Sequence, residues 1–184
     1  MKLAETEIPD VKLISPVRFG DERGWFEETY RQDILAAAGI RDVFVQDNVS
    51  FSISRGTIRG LHFQAPPSAQ AKLVRVLVGS ALDVAVDLRL SSPTYGRHVT
   101  VEIDAKSGRM VYIPSGFAHG FCTLEPNTLL TYKVSAPYDG KRDRGLAWND
   151  PALGIEWPVS ASDAILSAKD RNAPELAKLE SPFE

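Results

Sequence analysis

Short runs of alternating apolar and polar residues dominate the chain from about residue 43 to residue 135. Val74, Val76 and Val78 alternate in one run and Leu82, Val84, Val86 and Leu88 in the next. Gly79-Ser80 separates the two, which predicts a β-hairpin. His98 to Asp104 repeats the pattern through Val99, Val101 and Ile103. Gly108 opens the run from Arg109 to Ile113, and Pro114-Ser115-Gly116 ends it. Thr128 to Ser135 sets Leu130, Tyr132 and Val134 on one face. Successive side chains of a strand point to opposite faces, so each run reads as a strand with a buried side.

Helical periodicity is scarce. Residues 29–39 read as a short helix stopped by Gly39, and a second short helix is expected from Pro174 to Leu179. After about residue 140 the texture is loop-like, with breaker signals at Asp139-Gly140, Asp150-Pro151, Trp157-Pro158 and Ala173-Pro174. No repeat, low-complexity tract or interdomain linker interrupts the 184 residues. The pattern predicts an all-β fold in a single domain over residues 1–184: an antiparallel sandwich or barrel with a few short peripheral helices.

Composition removes several function classes. A formal net charge of -3 argues against a generic nucleic-acid or membrane-surface binder. It leaves room for a local cationic pocket for a phosphorylated small molecule. Cys122 is the single cysteine, so neither an intrachain disulfide nor an all-thiolate metal site can form. Its apolar setting, Gly120-Phe121-Cys122-Thr123-Leu124, reads as a buried structural thiol. The chain shows neither an N-terminal apolar leader nor a long apolar span, and the cytoplasm is the expected location.

Candidate chemistry gathers at Arg59-Gly60-Leu61-His62-Phe63-Gln64, with Lys72 shortly after. A neutral imidazole can take a proton and a nearby ammonium can hold the charge left behind, the minimal kit for proton abstraction beside a carbonyl. Two readings of Lys72 stand. It shares its face with Val74, Val76 and Val78 and points inward, where it needs an anionic partner or a chemical role; or it precedes the strand and snorkels outward. Tyr132 shares its face with Leu130 and Val134, so its hydroxyl either satisfies a structural hydrogen bond or donates a proton. His62 is either structural or catalytic. His119 lies in a small-residue segment expected to be a loop, where it either lines a barrel mouth or caps a turn, and His98 reads as a surface residue.

Metal and nucleotide signatures are missing. Small β-barrels that hold iron, zinc or manganese carry two histidines one residue apart, whereas here Gln64 follows His62 at that spacing. There is no Walker loop and no Gly-x-Gly-x-x-Gly, so arginine forks such as Arg23 and Arg59 are the candidates for gripping a diphosphate.

Six motifs in order carry a family resemblance: Phe19-Gly20-Asp21-Glu22-Arg23-Gly24, Gln46-Asp47-Asn48, Arg59 to Gln64, Lys72-Leu73-Val74-Arg75, Ser92-Pro93-Thr94-Tyr95-Gly96 and Ile113 to Phe121. Together they resemble the dTDP-4-dehydrorhamnose 3,5-epimerases from about Thr6 to Asp170. The resemblance implies a cupin-type antiparallel β-jelly roll acting as a homodimer, with no metal and no organic cofactor. It implies the substrate dTDP-4-dehydro-6-deoxy-D-glucose, inverted at C3 and C5 to dTDP-4-dehydro-L-rhamnose. The family's base falls on His62 with Asp170 as its carboxylate, its proton donor on Tyr132 and its enolate-stabilising lysine on Lys72. Substrate contacts fall on Arg23, Glu28, Gln46, Asp47, Asn48, Arg59, Lys72, His119, Asp143 and Lys169, and Tyr138 takes the position that stacks on thymine. Related 3- or 5-epimerases, 3,4-ketoisomerases, metal-dependent cupin enzymes and non-catalytic sugar-binding cupins are the competing readings. Strand parity sets Arg59 and His62 on opposite faces, so a shared pocket requires a bend or bulge at Gly60.

Overall fold

The alternating runs form strands, and all ten strand ladders are antiparallel. A computed structural model describes residues 1–184. The chain begins with β1 (Lys2–Glu5) and β2 (Lys12–Ser15), then a separate hairpin of β3 (Arg18–Asp21) and β4 (Gly24–Glu27). Helix α1 (Gln32–Ala37) leads into β5 (Gln46–Ser52), β6 (Ile58–Gln64), β7 (Lys72–Val78) and β8 (Ser80–Asp87). After these come β9 (His98–Asp104), β10 (Met110–Ile113), β11 (Phe117–Thr123), β12 (Thr128–Val134), β13 (Asp143–Gly145) and the one-turn helix α2 (Ala168–Arg171). Strands β1-β2-β10-β7-β12-β5 make a six-stranded sheet and β13-β6-β11-β8-β9 a five-stranded one. This is the antiparallel sandwich that the pattern predicts, and the jelly roll that the resemblance implies.

Between the sheets, Val74, Val76, Val111, Ile113 and Leu130 of the first meet Ala81, Ala85, Val99, Ile103, Phe117 and Phe121 of the second. A second core lies on the far face of the five-stranded sheet. There Leu61, Phe63, Val84, Val86 and Leu88 pack under the C-terminal segment through Leu153, Trp157, Leu179 and Phe183. The loop-like C-terminal region therefore covers a sheet face and brings α2 to the mouth of the cleft.

One expected element is corrected. The runs on either side of Gly79-Ser80 are not a hairpin, because β7 pairs with β10 and β12 while β8 pairs with β11 and β9. At Gly79 the chain crosses from one sheet to the other with φ +79°, and a Cβ there would lie 2.6 Å from Thr128 Oγ1. In consequence β8 is buried on both sides. Its valines face the outer core, while Ala81, Asp83 and Ala85 take the inward parity.

The helices are also shorter than expected. Arg31 is already extended, which confines α1 to six residues, and only Leu176–Lys178 of the predicted C-terminal helix forms a 3-10 turn. Helix α2 has no counterpart among the predicted elements. Its signal is Ser167-x-x-Asp170, where the Ser167 hydroxyl accepts the Asp170 amide at 3.1 Å.

The Ser92-Pro93-Thr94-Tyr95-Gly96 motif has a scaffold role. Ser92 and Thr94 hydroxyls both donate at 2.6 Å to the buried Asp87 carboxylate, which also takes the Arg89 guanidinium at 2.7 and 2.9 Å. Burial works to raise the Asp87 carboxyl, but these donors outweigh it and hold the pKa down at about 2.

Candidate active site

The site begins with a bulge in β6. His62 lies opposite His119 and Arg59 opposite Phe121, so Gly60 and Leu61 together face the single residue Gly120. Gly60 has φ +131°, and a Cβ on it would sit 2.6 Å from Gly120 Cα and 2.8 Å from the His119 carbonyl. Only glycine fits there. The extra residue turns Arg59 inward, so that it and His62 line one cleft of about 360 Å³ together with Lys72, His119, Tyr132 and Asp170. The bend required by strand parity is present.

Helix α2 presents Asp170 to this cleft. Its Oδ1 lies 2.6 Å from His62 Nε2, across 108 residues of sequence. Asp170 is 4% exposed. Burial acts to raise its carboxyl, but hydrogen bonds from His62, Ser167 and the Gly60 amide outweigh that and keep it below the ordinary carboxylate value. An ionised carboxylate only accepts, so His62 presents an Nε2–H to Asp170, and in the neutral ring of that tautomer Nδ1 is the free acceptor.

Lys72 points inward at 8% exposure and donates to the His62 carbonyl at 3.3 Å. Burial lowers its pKa to about 8, opposed by the charges of Asp83 and Asp143 and aided by Lys169. The inward reading of Lys72 is the correct one. Tyr132 also faces the core side of β12, and burial raises its phenol above the usual value, which keeps the proton on oxygen at neutral pH.

His119 is corrected from loop to strand: it lies within β11, every residue of which is buried. Its Nε2 meets Asp83 Oδ2 at 2.8 Å. Burial lowers the His119 pKa despite Asp83, which favours the neutral ring. Asp83 is not among the residues that the sequence singles out. Its signal is its parity with Ala81 and Ala85, readable only once β8 is known to be covered on both faces.

A second lobe of about 160 Å³ opens from the same His62, Lys72 and Tyr132 and is lined by Gln46, Asn48, Tyr138 and Asp143. Gln46 donates to Asn48 Oδ1 at 2.8 Å. Tyr138 is 65% exposed, and its hydroxyl donates to Asp143 Oδ2 at 3.2 Å. Lys169 reaches the same Asp143 oxygen at 2.5 Å, which ties the α2 segment to β13.

Three expected contacts lie elsewhere within the chain. Asp47 falls on the opposite face of β5 from Gln46 and Asn48 and pairs with Lys133 at 2.8 Å, as strand alternation requires. Arg23 sits on the β3–β4 hairpin, paired with Asp21 in solvent, and Glu28 just beyond it is within 3.8 Å of Arg31. Neither lines the cleft. No group of three or more His, Cys, Asp or Glu side chains is placed to share a metal ion. Cys122 is fully buried, and burial pushes its thiol up to about 11.

The chain as a whole has similar counterparts among known proteins. A profile of the dTDP-4-dehydrorhamnose 3,5-epimerase family matches residues 5–178. The chain belongs to this family. It is 48% identical to the dTDP-4-dehydrorhamnose 3,5-epimerase of Sinorhizobium fredii over 185 residues, covering 100% of this chain and 94% of that protein. The crystal structure of the epimerase from Bacillus anthracis, with TDP and PPi bound, superposes with a TM-score of 0.92. That pair is 49% identical over 95% of this chain and 99% of the other. The 3,5-epimerase of Legionella pneumophila in complex with dTDP-4-keto-L-rhamnose gives a TM-score of 0.93 at 40% identity, covering 97% and 94%. The family's proteins are epimerases, a class of isomerase.

Proposed function

We propose that the chain inverts C3 and C5 of dTDP-4-dehydro-6-deoxy-D-glucose to give dTDP-4-dehydro-L-rhamnose. The observation that carries this reading is the 2.6 Å contact between His62 and Asp170 in a cleft shared with Lys72 and Tyr132. Both stereocentres flank the C4 ketone, so loss of either proton gives an enolate. His62 Nδ1 takes the proton, and Asp170 fixes the tautomer and supports the imidazolium that forms. Lys72 faces the negative charge growing on O4, where one preorganised donor is worth roughly 3–4 kcal/mol. Tyr132 returns a proton on the opposite face, which inverts the centre. Arg59, His119 and Lys169 line the sugar and phosphate lobe, while Gln46, Asn48 and Tyr138 line the lobe that receives the thymidine, bordered by Asp143.

Turnover in D₂O tests the reading. Deuterium at both C3 and C5 of the product is expected; incorporation at one centre alone would make the enzyme a single epimerase, and a shifted ketone would make it a ketoisomerase. The mechanism uses no metal or organic cofactor, so activity is expected to survive EDTA.

The same reading includes a cytoplasmic homodimer. No helix is long and apolar enough to cross a membrane. Phe19, Trp25 and Phe26 of the hairpin are each more than half exposed, as are Val49 and Phe51 on the edge strand β5. Apolar patches of this kind mark association surfaces. A partner hairpin docked along β5 carries Arg23 and Glu28 to the cleft they do not reach in their own chain. Light scattering is expected to give twice the chain mass, and Phe26→Asp to give monomers with raised KM.

A further inference from the structure

Residues 136–139, the loop that carries Tyr138, are held by three glutamine side chains rather than by a strand ladder. Gln70 Nε2 donates to the Ala136 carbonyl at 2.7 Å. Gln64 Nε2 donates to the Pro137 carbonyl at 3.2 Å, and its Oε1 accepts the Asp139 amide at 2.8 Å. Gln46 Oε1 accepts the Tyr138 amide at 3.0 Å. Gln64 thus grips the peptides on both sides of Tyr138, and its second Nε2 proton goes to the Ser68 carbonyl at 2.7 Å.

Gln64 is 4% exposed, and all its bonds are to main-chain atoms. Two carbonyls need donors and one amide needs an acceptor, a combination that a side-chain amide supplies and a carboxylate does not. The Tyr138 ring is mostly exposed, and its one side-chain bond is the 3.2 Å donation to Asp143 at the hydroxyl tip, so its direction is set largely by the main chain beneath it. Asp139 is further tied by the Ser68 hydroxyl at 2.9 Å, but the peptides flanking Tyr138 depend on the glutamines, and without them that main chain samples more conformations before a ligand orders it.

We propose that Gln64 is a positioning residue for nucleobase binding: it presets the 136–139 main chain so that the Tyr138 ring stands ready to stack on the base. The inference rests on the proposed nucleotide-sugar activity and assigns Gln64, with Gln70, a role in affinity and none in the chemical step.

The test is a double-mutant cycle on the full-length enzyme, read by steady-state kinetics and by calorimetric binding of dTDP alone. Stacking of one base on an aromatic ring makes a tenfold effect the expected scale. Gln64→Glu keeps the volume and removes both donors; it is expected to raise KM and the dTDP dissociation constant about tenfold, with kcat within twofold. Added to Tyr138→Ala, it is expected to cause little further loss, since its effect passes through that ring. An unchanged KM, a fall in kcat alone, or effects that multiply with Tyr138→Ala overturn the proposal. If Gln64→Glu does not fold, Gln70→Leu is held to the same criteria. A wild type that binds dTDP without turnover defeats the activity assigned above, while dTDP affinities of the variants still decide the role of Gln64. A wild type that does not bind dTDP overturns both.

Discussion

His62 and His119 are direct cross-strand partners on β6 and β11, and each holds a different aspartate through Nε2, Asp170 at 2.6 Å and Asp83 at 2.8 Å. The two dyads differ in exposure. The His62 side chain is 32% accessible and His119 only 7%, so His62 is the ring that reaches the open cleft.

Removing either member of the open dyad should cost rate more than affinity. His62→Ala and Asp170→Asn are each expected to lower kcat by roughly 10²–10⁴-fold. Asp170→Asn acts by offering an amide where His62 needs an acceptor for Nε2–H. Stopped assays at saturating substrate check this, and a KM effect with unchanged kcat would count against His62 as the base.

Lys72 is expected to set the alkaline limb of the pH profile. The proposed mechanism needs its cation at O4 and its pKa is lowered to about 8, so kcat/KM is expected to fall as pH rises through about 8. Lys72→Met should lower kcat by on the order of 10²–10³-fold and remove that limb. A wild-type profile flat to pH 10 would contradict the assignment.

Tyr132→Phe separates the two proton transfers. The base remains, so substrate recovered from D₂O is expected to carry deuterium with its original configuration, while net inversion falls by roughly 10²-fold or more. Proton NMR of the recovered sugar reads both quantities. Full inversion in the phenylalanine variant would remove Tyr132 from the mechanism.

Asp87 gives the fold an acid-sensitive joint. Its pKa is depressed in the folded state to about 2 from an ordinary 3.8, so its contribution to stability is complete above about pH 4. That contribution is lost as pH falls toward 2. Thermal unfolding of wild type and Asp87→Asn should therefore differ most at neutral pH and converge near pH 2. A constant difference across that window would show that the Asp87 charge is not involved.

Several of these residues are readable from the chain. Lys72 shares parity with Val74, Val76 and Val78 and Tyr132 with Leu130 and Val134; the structure buries these faces except at Val78, which is 51% exposed where β7 shifts register against β12. Arg59 and His62 have opposite parity, which makes the Gly60 bulge a requirement of any shared pocket, and the bulge is there. Asp83 is invisible for the opposite reason. Its strand is buried on both faces, so alternation there carries no sign of which side is the cleft.

Local sequence is enough to specify several central strands, the parity that Lys72 and Tyr132 share with apolar neighbours and the glycine that joins Arg59 to His62, because all of these depend on neighbours within a few residues. Long-range packing settles the rest. It sends β7 and β8 to different sheets at Gly79, leaves Arg23 and Glu28 outside the cleft of their own chain, and brings Asp170 to His62 across 108 residues. The difference is one of range. Alternation fixes which side of a strand is apolar, but which strands pair and what covers each face is settled only when distant segments compete to bury their apolar surface.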